Sequence, residues 1–302
     1  MAGAFAHIAA VNAALTFPQT ADPVDTNIQR IVTLNQRQLE LGAISPDLPY
    51  VVLKDKLQRE WADFMHQGNT DEFMAEAIYR GRTLKGPEKE GYFAWLAGYL
   101  AHVITDLTIH PIIETFVGPY AENKGKHREM EMHQDVYIWQ RLYGQRPESV
   151  TRLSRQLFAS LQDSRTAIIM EHWRHCLSAT TSSSVTSPDV SLWIVQFAKV
   201  LKAVEDDYVL FPFSRHVAHF LNLTYPHSNQ IDFEYISQLP TPVGDLHYDA
   251  IFSYAVTKIK LYTRLLYHAL YEGDAMSWVD TWNLDTGKNS LGEWVIWRET
   301  SV

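Results

Sequence analysis

The sequence predicts an all-α protein, and three observations support that fold class. Apolar residues recur at helical spacing in long windows, for example 91–109 and 126–142. Segments with the alternation typical of strands are scarce. Gly42, Pro111 and Gly144 follow three of the windows, and such residues are typical of helix ends. The predicted helices are 25–41, 91–109, 126–142, 150–177, 190–210 and 248–271.

The 302 residues, of which 46% are hydrophobic, are enough to bury a substantial core. We expect a single helical domain over 1–302, with a C-terminal subdomain over 190–302 as the alternative. The Ser/Thr-rich stretch 179–189 reads as a loop between two helices. Four tryptophans in the tail 278–297 surround turn residues, which indicates turns and a short hairpin.

Charge and cysteine content narrow the classes of function. A net charge of −9 argues against broad binding to duplex nucleic acid, which depends on Lys and Arg. The lone cysteine, Cys176, excludes an internal disulfide and a cysteine-rich zinc site, so any metal needs His, Asp or Glu ligands. The apolar residues 1–17 contain no Lys or Arg, and by this pattern no apolar run is long enough to span a bilayer. The expectation is a soluble, cytoplasmic protein.

The strongest local signal is the segment GYLAHVITDLTIHP, which carries His102, Asp106 and His110 at intervals of four. Four residues advance a helix by about 40° in direction and 6 Å in height, so the three side chains share one face. A buried polar stripe is the simpler explanation for any one of them. Three in register within an apolar helix favour a metal cluster.

A second array, HREMEMHQD, repeats the spacing with His127, Glu131 and Asp135. Zinc accepts imidazole nitrogen and carboxylate oxygen, and two facing helices can supply ligands to more than one ion. A solvated acidic helix face would have much the same sequence. The second array therefore supports a metal site mainly because the first array is present.

Three residues outside the arrays are weaker candidates. Asp47 lies in a turn bracketed by Pro46 and Pro49, which is rigid enough to present a carboxylate. His66 and His7 each stand alone near an apolar run, where a histidine is usually a core or surface residue. None of the three identifies a site by itself.

Taken in order, these residues resemble the landmarks of the zinc-dependent phospholipase C family, which is related to the single-strand-specific zinc nucleases and to the catalytic domain of glycosylphosphatidylinositol-specific phospholipase D. The landmarks are an early histidine, G-x-x-x-P-D, a later histidine, G-x-x-x-H-x-x-x-D-x-x-x-H and H-x-x-x-E/D-x-x-x-D. The resemblance covers about residues 1–140. The matching positions are His7, Asp47, His66, His102, Asp106, His110, His127 and Glu131.

The resemblance implies a cofactor of two or three zinc ions. The implied ligands of the first ion are Asp47, His66, His102 and one oxygen of Asp106, and those of the second ion are His110, His127 and Glu131. The third ion would use His7, Asp106 and the amine and carbonyl of the first residue of the mature chain. Asp135 would then orient its neighbours rather than bind metal.

Such a cluster predicts hydrolysis of phosphoesters by metal-activated water, with Asp47 as the group that orients or deprotonates the water. The expected substrate is a phospholipid, a headgroup or a nucleotide-like molecule, and a peripheral contact with a membrane stays open. One alternative is a lyase or oxygenase that uses iron or manganese. Another is a helical interaction protein in which the arrays only stabilise the fold.

Overall fold

The computed structural model describes residues 3–16, 22–52, 54–144, 159–181, 186–207 and 226–298. The described chain is mostly helical, which confirms the all-α prediction. The helices are α1 (Ala4–Leu15), α2 (Pro23–Leu34), α3 (Gln36–Ile44), α4 (Lys56–His66), α5 (Thr70–Thr83), α6 (Gly86–Val117), α7 (Tyr120–Tyr143), α8 (Ser164–Thr180), α9 (Val190–Asp207) and α10 (Tyr248–Tyr267). Two short antiparallel hairpins pair β1 (Leu239–Thr241) with β2 (Gly244–Leu246) and β3 (Trp282–Asn283) with β4 (Lys288–Asn289).

Helix α6 is the central element of the core, and α1, α3, α8 and α10 pack around it. Every side chain from Gly91 to Ile113 is buried, so the helix has no solvent-facing side over that length. By length and composition α6 could also cross a membrane, contrary to the expectation from the sequence that no segment is long and apolar enough. Its apolar window is entirely buried within the protein, as in the core helix of a globular domain.

The predicted end of α6 at Pro111 is wrong, because the helix continues through that proline to Val117. Proline lacks an N–H group, so the carbonyl four residues earlier, that of Leu107, loses its usual helical partner. The C-terminal tail covers this defect. Gly287 adopts a φ of 68° and lies so close that a Cβ there would be 2.2 Å from Pro111 Cγ.

The predicted helix 25–41 is two helices, broken at Asn35. This residue has φ −125° and ψ 35°, and its side-chain amide donates to the carbonyl of Ile31 at 2.8 Å. The bond competes with the helical hydrogen bonds, as asparagine side chains often do at helix ends. Gly42 is therefore not the C-cap that the sequence suggested, but an internal residue of α3.

Gly42 and Gly98 allow the backbones of α3 and α6 to touch. A Cβ on Gly42 would lie 2.0 Å from the carbonyl oxygen of Trp95, and a Cβ on Gly98 would lie 2.1 Å from that of Leu39. Because neither position tolerates a side chain, the crossing brings the turn that follows α3 directly against the middle of α6. That turn, Ser45–Val51, is a buried 3₁₀ helix containing Asp47.

We predict that Gly98→Ala lowers the free energy of unfolding by about 1–3 kcal/mol or more, since the new methyl must separate two packed backbones. Urea denaturation measures the loss. The control is Gly91→Ala in the same helix, where the new Cβ meets only the flexible side chain of Arg165 at 3.3 Å. Equal stability of the two variants would contradict the prediction.

The remaining helix boundaries agree more closely with those predicted from the sequence. Helix α7 ends at Gly144, whose φ is 63°, and the predicted helix 248–271 is α10 followed by a single π turn that ends before Gly273. Parts of 150–177, 179–189 and 190–210 lie outside the described residues. The predicted hairpin in the tail is confirmed as β3 and β4.

Candidate metal centre

Four ligand-type side chains converge where α3, α4 and α6 meet. Helix α6 contributes His102 and Asp106, the end of α4 contributes His66, and the 3₁₀ turn after α3 contributes Asp47. Their side chains are at most 1% exposed. The structure thus brings together two members of the α6 array with two residues that looked weak in isolation.

The distances between the ligand atoms of this group can be compared with those around a bound zinc ion. His66 Nε2 lies 3.3 Å from Asp47 Oδ1, 3.5 Å from His102 Nε2 and 3.6 Å from Asp106 Oδ2. His102 Nε2 lies 3.1 Å from Asp106 Oδ2 and 3.9 Å from Asp47 Oδ1. Ligands at about 2.0–2.2 Å from a tetrahedral zinc are separated by about 3.3–3.6 Å. Most of these separations match, and the ligand atoms form two overlapping groups of three: Asp47, His66 and His102, and His7, His102 and Asp106.

The other oxygen of Asp106 faces a second set of imidazoles. Asp106 Oδ1 lies 3.3 Å from His7 Nε2 and 3.6 Å from His110 Nε2. The ring of His7 also stacks on that of His102, with centroids 3.9 Å apart and an angle of 13° between the planes. Asp106 is placed to bridge two ions, because its two oxygens point to different histidines.

Backbone carbonyls set the tautomers of two of these histidines. His66 Nδ1 lies 2.7 Å from the carbonyl of Ala62, and His102 Nδ1 lies 2.9 Å from that of Ala43. A carbonyl can only accept, so each Nδ1 carries a hydrogen and donates it. Each Nε2 of a neutral ring then directs a lone pair toward the carboxylate oxygens, an arrangement that a bound cation stabilises.

Several buried polar atoms at the centre lack a hydrogen-bond partner among the residues that the structure describes. They are both ring nitrogens of His7, both carboxylate oxygens of Asp47 and Nε2 of His110. Leaving such groups unsatisfied costs about 1–3 kcal/mol each. Carboxylate oxygens and imidazole nitrogens are the usual ligands of zinc, so these atoms fit a metal cluster better than a hydrogen-bonded polar core.

Electrostatics within the group favour a cation at its centre. Burial raises the pKa of Asp106, but His102 and His7 more than reverse this and hold it well below its usual range. Burial and the neighbouring His102 lower the pKa of His7. Burial lowers the pKa of His102 too, yet the Asp106 and Asp47 carboxylates outweigh it and give a net rise. The carboxylates therefore attract positive charge to the position between the rings.

The chain matches the family model for zinc-dependent phospholipase C over residues 6–205, about two thirds of its length. The chain belongs to the zinc-dependent phospholipase C family. This confirms the resemblance drawn from the sequence and makes the protein a metal-dependent phosphoesterase. Comparisons with curated proteins and with solved structures give no match.

Within this phospholipase C family chain, the second array lies beside the first. His127 and Glu131 on α7 are 4% and 7% exposed. Burial raises the pKa of Glu131 and the Asp106 carboxylate adds to the rise, so the two carboxylates are electrostatic neighbours. His127 Nε2 donates to the carbonyl of Gly118 at 2.7 Å, so Nδ1 is the ring nitrogen that would bind a metal.

The described part of the chain shows no direct contact between His127 and the Asp106 group, so the second ion's ligands stay a prediction. Met1 and Ala2, whose terminal amine was expected at a third ion, lie outside the described residues. Asp135 Oδ1 accepts a hydrogen bond from the amide of Ala6 at 2.8 Å. It thereby joins α7 to the start of α1, next to His7, in keeping with an orienting role.

The C-terminal tail, which lies beyond the matched residues, supports the centre from outside. The amide of Leu284 donates to the carbonyl of His66 at 2.8 Å, and the indole of Trp297 donates to the carbonyl of Thr108 at 2.8 Å. These bonds tie the end of α4 and the Pro111 region of α6 to one segment. Reasoning from the sequence missed this role, because its only local signal was the cluster of tryptophans.

We predict that Trp297→Phe weakens zinc binding by about 10-fold, because such supporting bonds typically contribute 10–100-fold to metal affinity. The change removes the N–H donor to Thr108 together with the pyrrole ring, and the control below removes the same atoms. Competition with a chromogenic chelator measures the affinity. The control is Trp294→Phe in the same tail, whose indole makes no hydrogen bond with a described residue. A similar affinity in both variants would show that the tail bond does not position the ligands.

Proposed function

We propose that this protein hydrolyses a phosphodiester bond of a phospholipid, releasing a lipid alcohol and a phosphorylated headgroup. The observation that carries the proposal is the presence of two buried groups of ligand atoms that share His102, namely Asp47/His66/His102 and His7/His102/Asp106. Family membership supports zinc as the metal and a phospholipid as the substrate. A headgroup phosphoester or a nucleotide-like molecule would use the same chemistry.

Bound zinc supplies hydroxide from water near neutral pH and neutralises phosphoryl oxygen charge. The residues of the chain then have separate tasks. Asp106 fixes the spacing of the two histidine sets, because each of its oxygens faces one of them. His66 and His102 are held rigidly by the carbonyls of Ala62 and Ala43.

Asp47 is the proposed acceptor of the proton from the attacking water. Its Oδ1 faces His66, while Oδ2 is buried and accepts no hydrogen bond from a described residue. One oxygen can therefore bind metal while the other takes the proton. The water oxygen bonds to phosphorus as its proton passes to Asp47, the P–O bond to the lipid alcohol breaks, and the departing oxygen takes up a proton from solvent. The proton on Asp47 then returns to solvent.

The test is metal analysis of protein purified without added metal, followed by a hydrolysis screen with the zinc-loaded protein. The screen contains short-chain phospholipids, glycerophosphodiesters, nucleotides and phosphomonoesters. Phosphodiester turnover that is highest for phospholipids, lost with a chelator and restored by zinc is the expected result. Iron with oxygen-dependent turnover, or zinc without hydrolysis of any ester, would overturn the proposal. The cytoplasmic location and a peripheral membrane contact stay predictions.

A further inference from the structure

Arg128 is a buried cation at the edge of the candidate metal centre. Its side chain lies on α7 between His127 and Glu131, and the residue is only 5% exposed. Its guanidinium makes no hydrogen bond and no ion pair within 4 Å with any residue in the described ranges. None of its nitrogens is completely enclosed, so the aliphatic stem is buried while the guanidinium keeps contact with water and can receive an anion.

The position of Arg128 links it to the metal centre rather than to the general core. Residues three apart on a helix are neighbours, which places Arg128 next to Glu131. Burial raises the pKa of Glu131, and the positive charge of Arg128 partly opposes that rise. The two side chains are thus electrostatic neighbours without forming a salt bridge.

Residual exposure separates the residues of the centre into an enclosed set and a set that solvent reaches. His7, His66, His102 and Asp106 are 0% exposed, whereas His110, His127, Arg128 and Glu131 keep 4–7%. Arg128 therefore shares a small residual exposure with the ligand candidates on the outer side of the centre. An anion that enters on this side would meet Arg128 beside them.

We propose that Arg128 binds the anionic phosphoryl oxygens of the substrate and sets the specificity of the site for phosphate esters. This inference rests on the proposed function, because it assigns a substrate contact to the same site. A guanidinium presents paired N–H donors that match phosphate oxygens, and it stays charged at any physiological pH. An incoming phosphoryl group supplies the acceptors that the described residues do not.

The experiment measures binding of inorganic phosphate to zinc-loaded protein by calorimetry, which needs no turnover. Arg128→Gln is expected to weaken phosphate binding by about 10–100-fold, as the loss of a charged hydrogen bond of about 1.5–3 kcal/mol implies. Its zinc content should equal that of the wild type. The matched control is Lys126→Gln, which removes an exposed positive charge from the same helix.

A second variant covers the case in which Arg128→Gln fails to fold. Arg128→Lys keeps the charge but loses the paired donors, so phosphate affinity should fall by a smaller factor. Unchanged phosphate affinity in a folded, zinc-replete variant would overturn the proposal. So would loss of zinc in proportion to loss of phosphate binding, because Arg128 would then only support the metal ligands.

Kinetics on short-chain phosphatidylcholine and on a soluble glycerophosphodiester distinguish recognition of the phosphoryl group from recognition of the lipid. An Arg128→Gln variant with raised KM for both supports recognition of the shared phosphoryl group. A raised KM for the lipid alone would show that Arg128 acts on the lipid surface, which contradicts the proposal. A wild-type protein that binds phosphate through Arg128 yet hydrolyses nothing would refute the proposed function and leave this inference standing.

Discussion

Asp106→Asn is expected to remove at least one zinc ion and to reduce hydrolysis by more than about 100-fold, beyond the usual effect of losing a supporting contact. The carboxylate faces His102 through one oxygen and His7 through the other, at 3.1 and 3.3 Å. An amide binds zinc poorly and offers only one oxygen, so it cannot bridge two ions. Zinc is measured by mass spectrometry and hydrolysis by the rate on the best phosphodiester.

The control for this variant is Thr105→Val, at the preceding position of the same buried helix. The hydroxyl of Thr105 bonds only the carbonyl of Ala101, at 2.7 Å, and takes no part in the cluster. This change should leave zinc content intact. Normal zinc content and normal turnover in Asp106→Asn would refute the site itself.

Removing zinc from the wild-type protein is expected to lower the midpoint of thermal unfolding by on the order of 10 °C. An ion held at 1,000 times its dissociation constant contributes about 4 kcal/mol, and a larger domain shifts by about 2–4 °C per kcal/mol. The loss also leaves the buried atoms of His7, Asp47 and His110 without partners. Calorimetry with and without a chelator measures the shift.

Adding zinc back should restore the midpoint, which separates metal loss from damage by the chelator. The Asp106→Asn variant supplies the internal comparison, since chelation should shift it much less than the wild type. A wild-type protein that loses all its zinc and keeps its midpoint would show that the cluster is satisfied without metal.

The periodicity of the sequence was sufficient to predict the α6 array, because helix geometry is local and repeats every 3.6 residues. His102, Asp106 and His110 were expected on one face, and they lie on one face of a single helix. The end of the helix was not predictable in the same way. Pro111 stays inside α6, where Gly287 packs against its ring and Trp297 bonds the nearby carbonyl of Thr108.

The membership of Asp47 and His66 in the metal centre depended on tertiary packing. Each is an ordinary residue by local pattern, and only the motif order of a known family singled them out from the sequence. Asp47 meets His102 because Gly42 and Gly98 let the backbones of α3 and α6 touch, and His66 follows because α4 packs on the turn that carries Asp47. No window of sequence contains both sides of such a contact.

The burial of the charged residue Arg128 was likewise not predictable from the sequence. In the sequence it is one basic residue within an acidic helix, where a solvent-exposed position is the usual outcome. In the structure it is buried beside Glu131.

The sequence by itself determined the helical class, the ligand types and the face of α6 that carries them, since these follow from local geometry and from the single cysteine. The tertiary structure alone decided which ligands share an ion, how the tail supports them and where a buried cation lies. Those properties depend on distances between segments that are remote in sequence, and packing sets such distances.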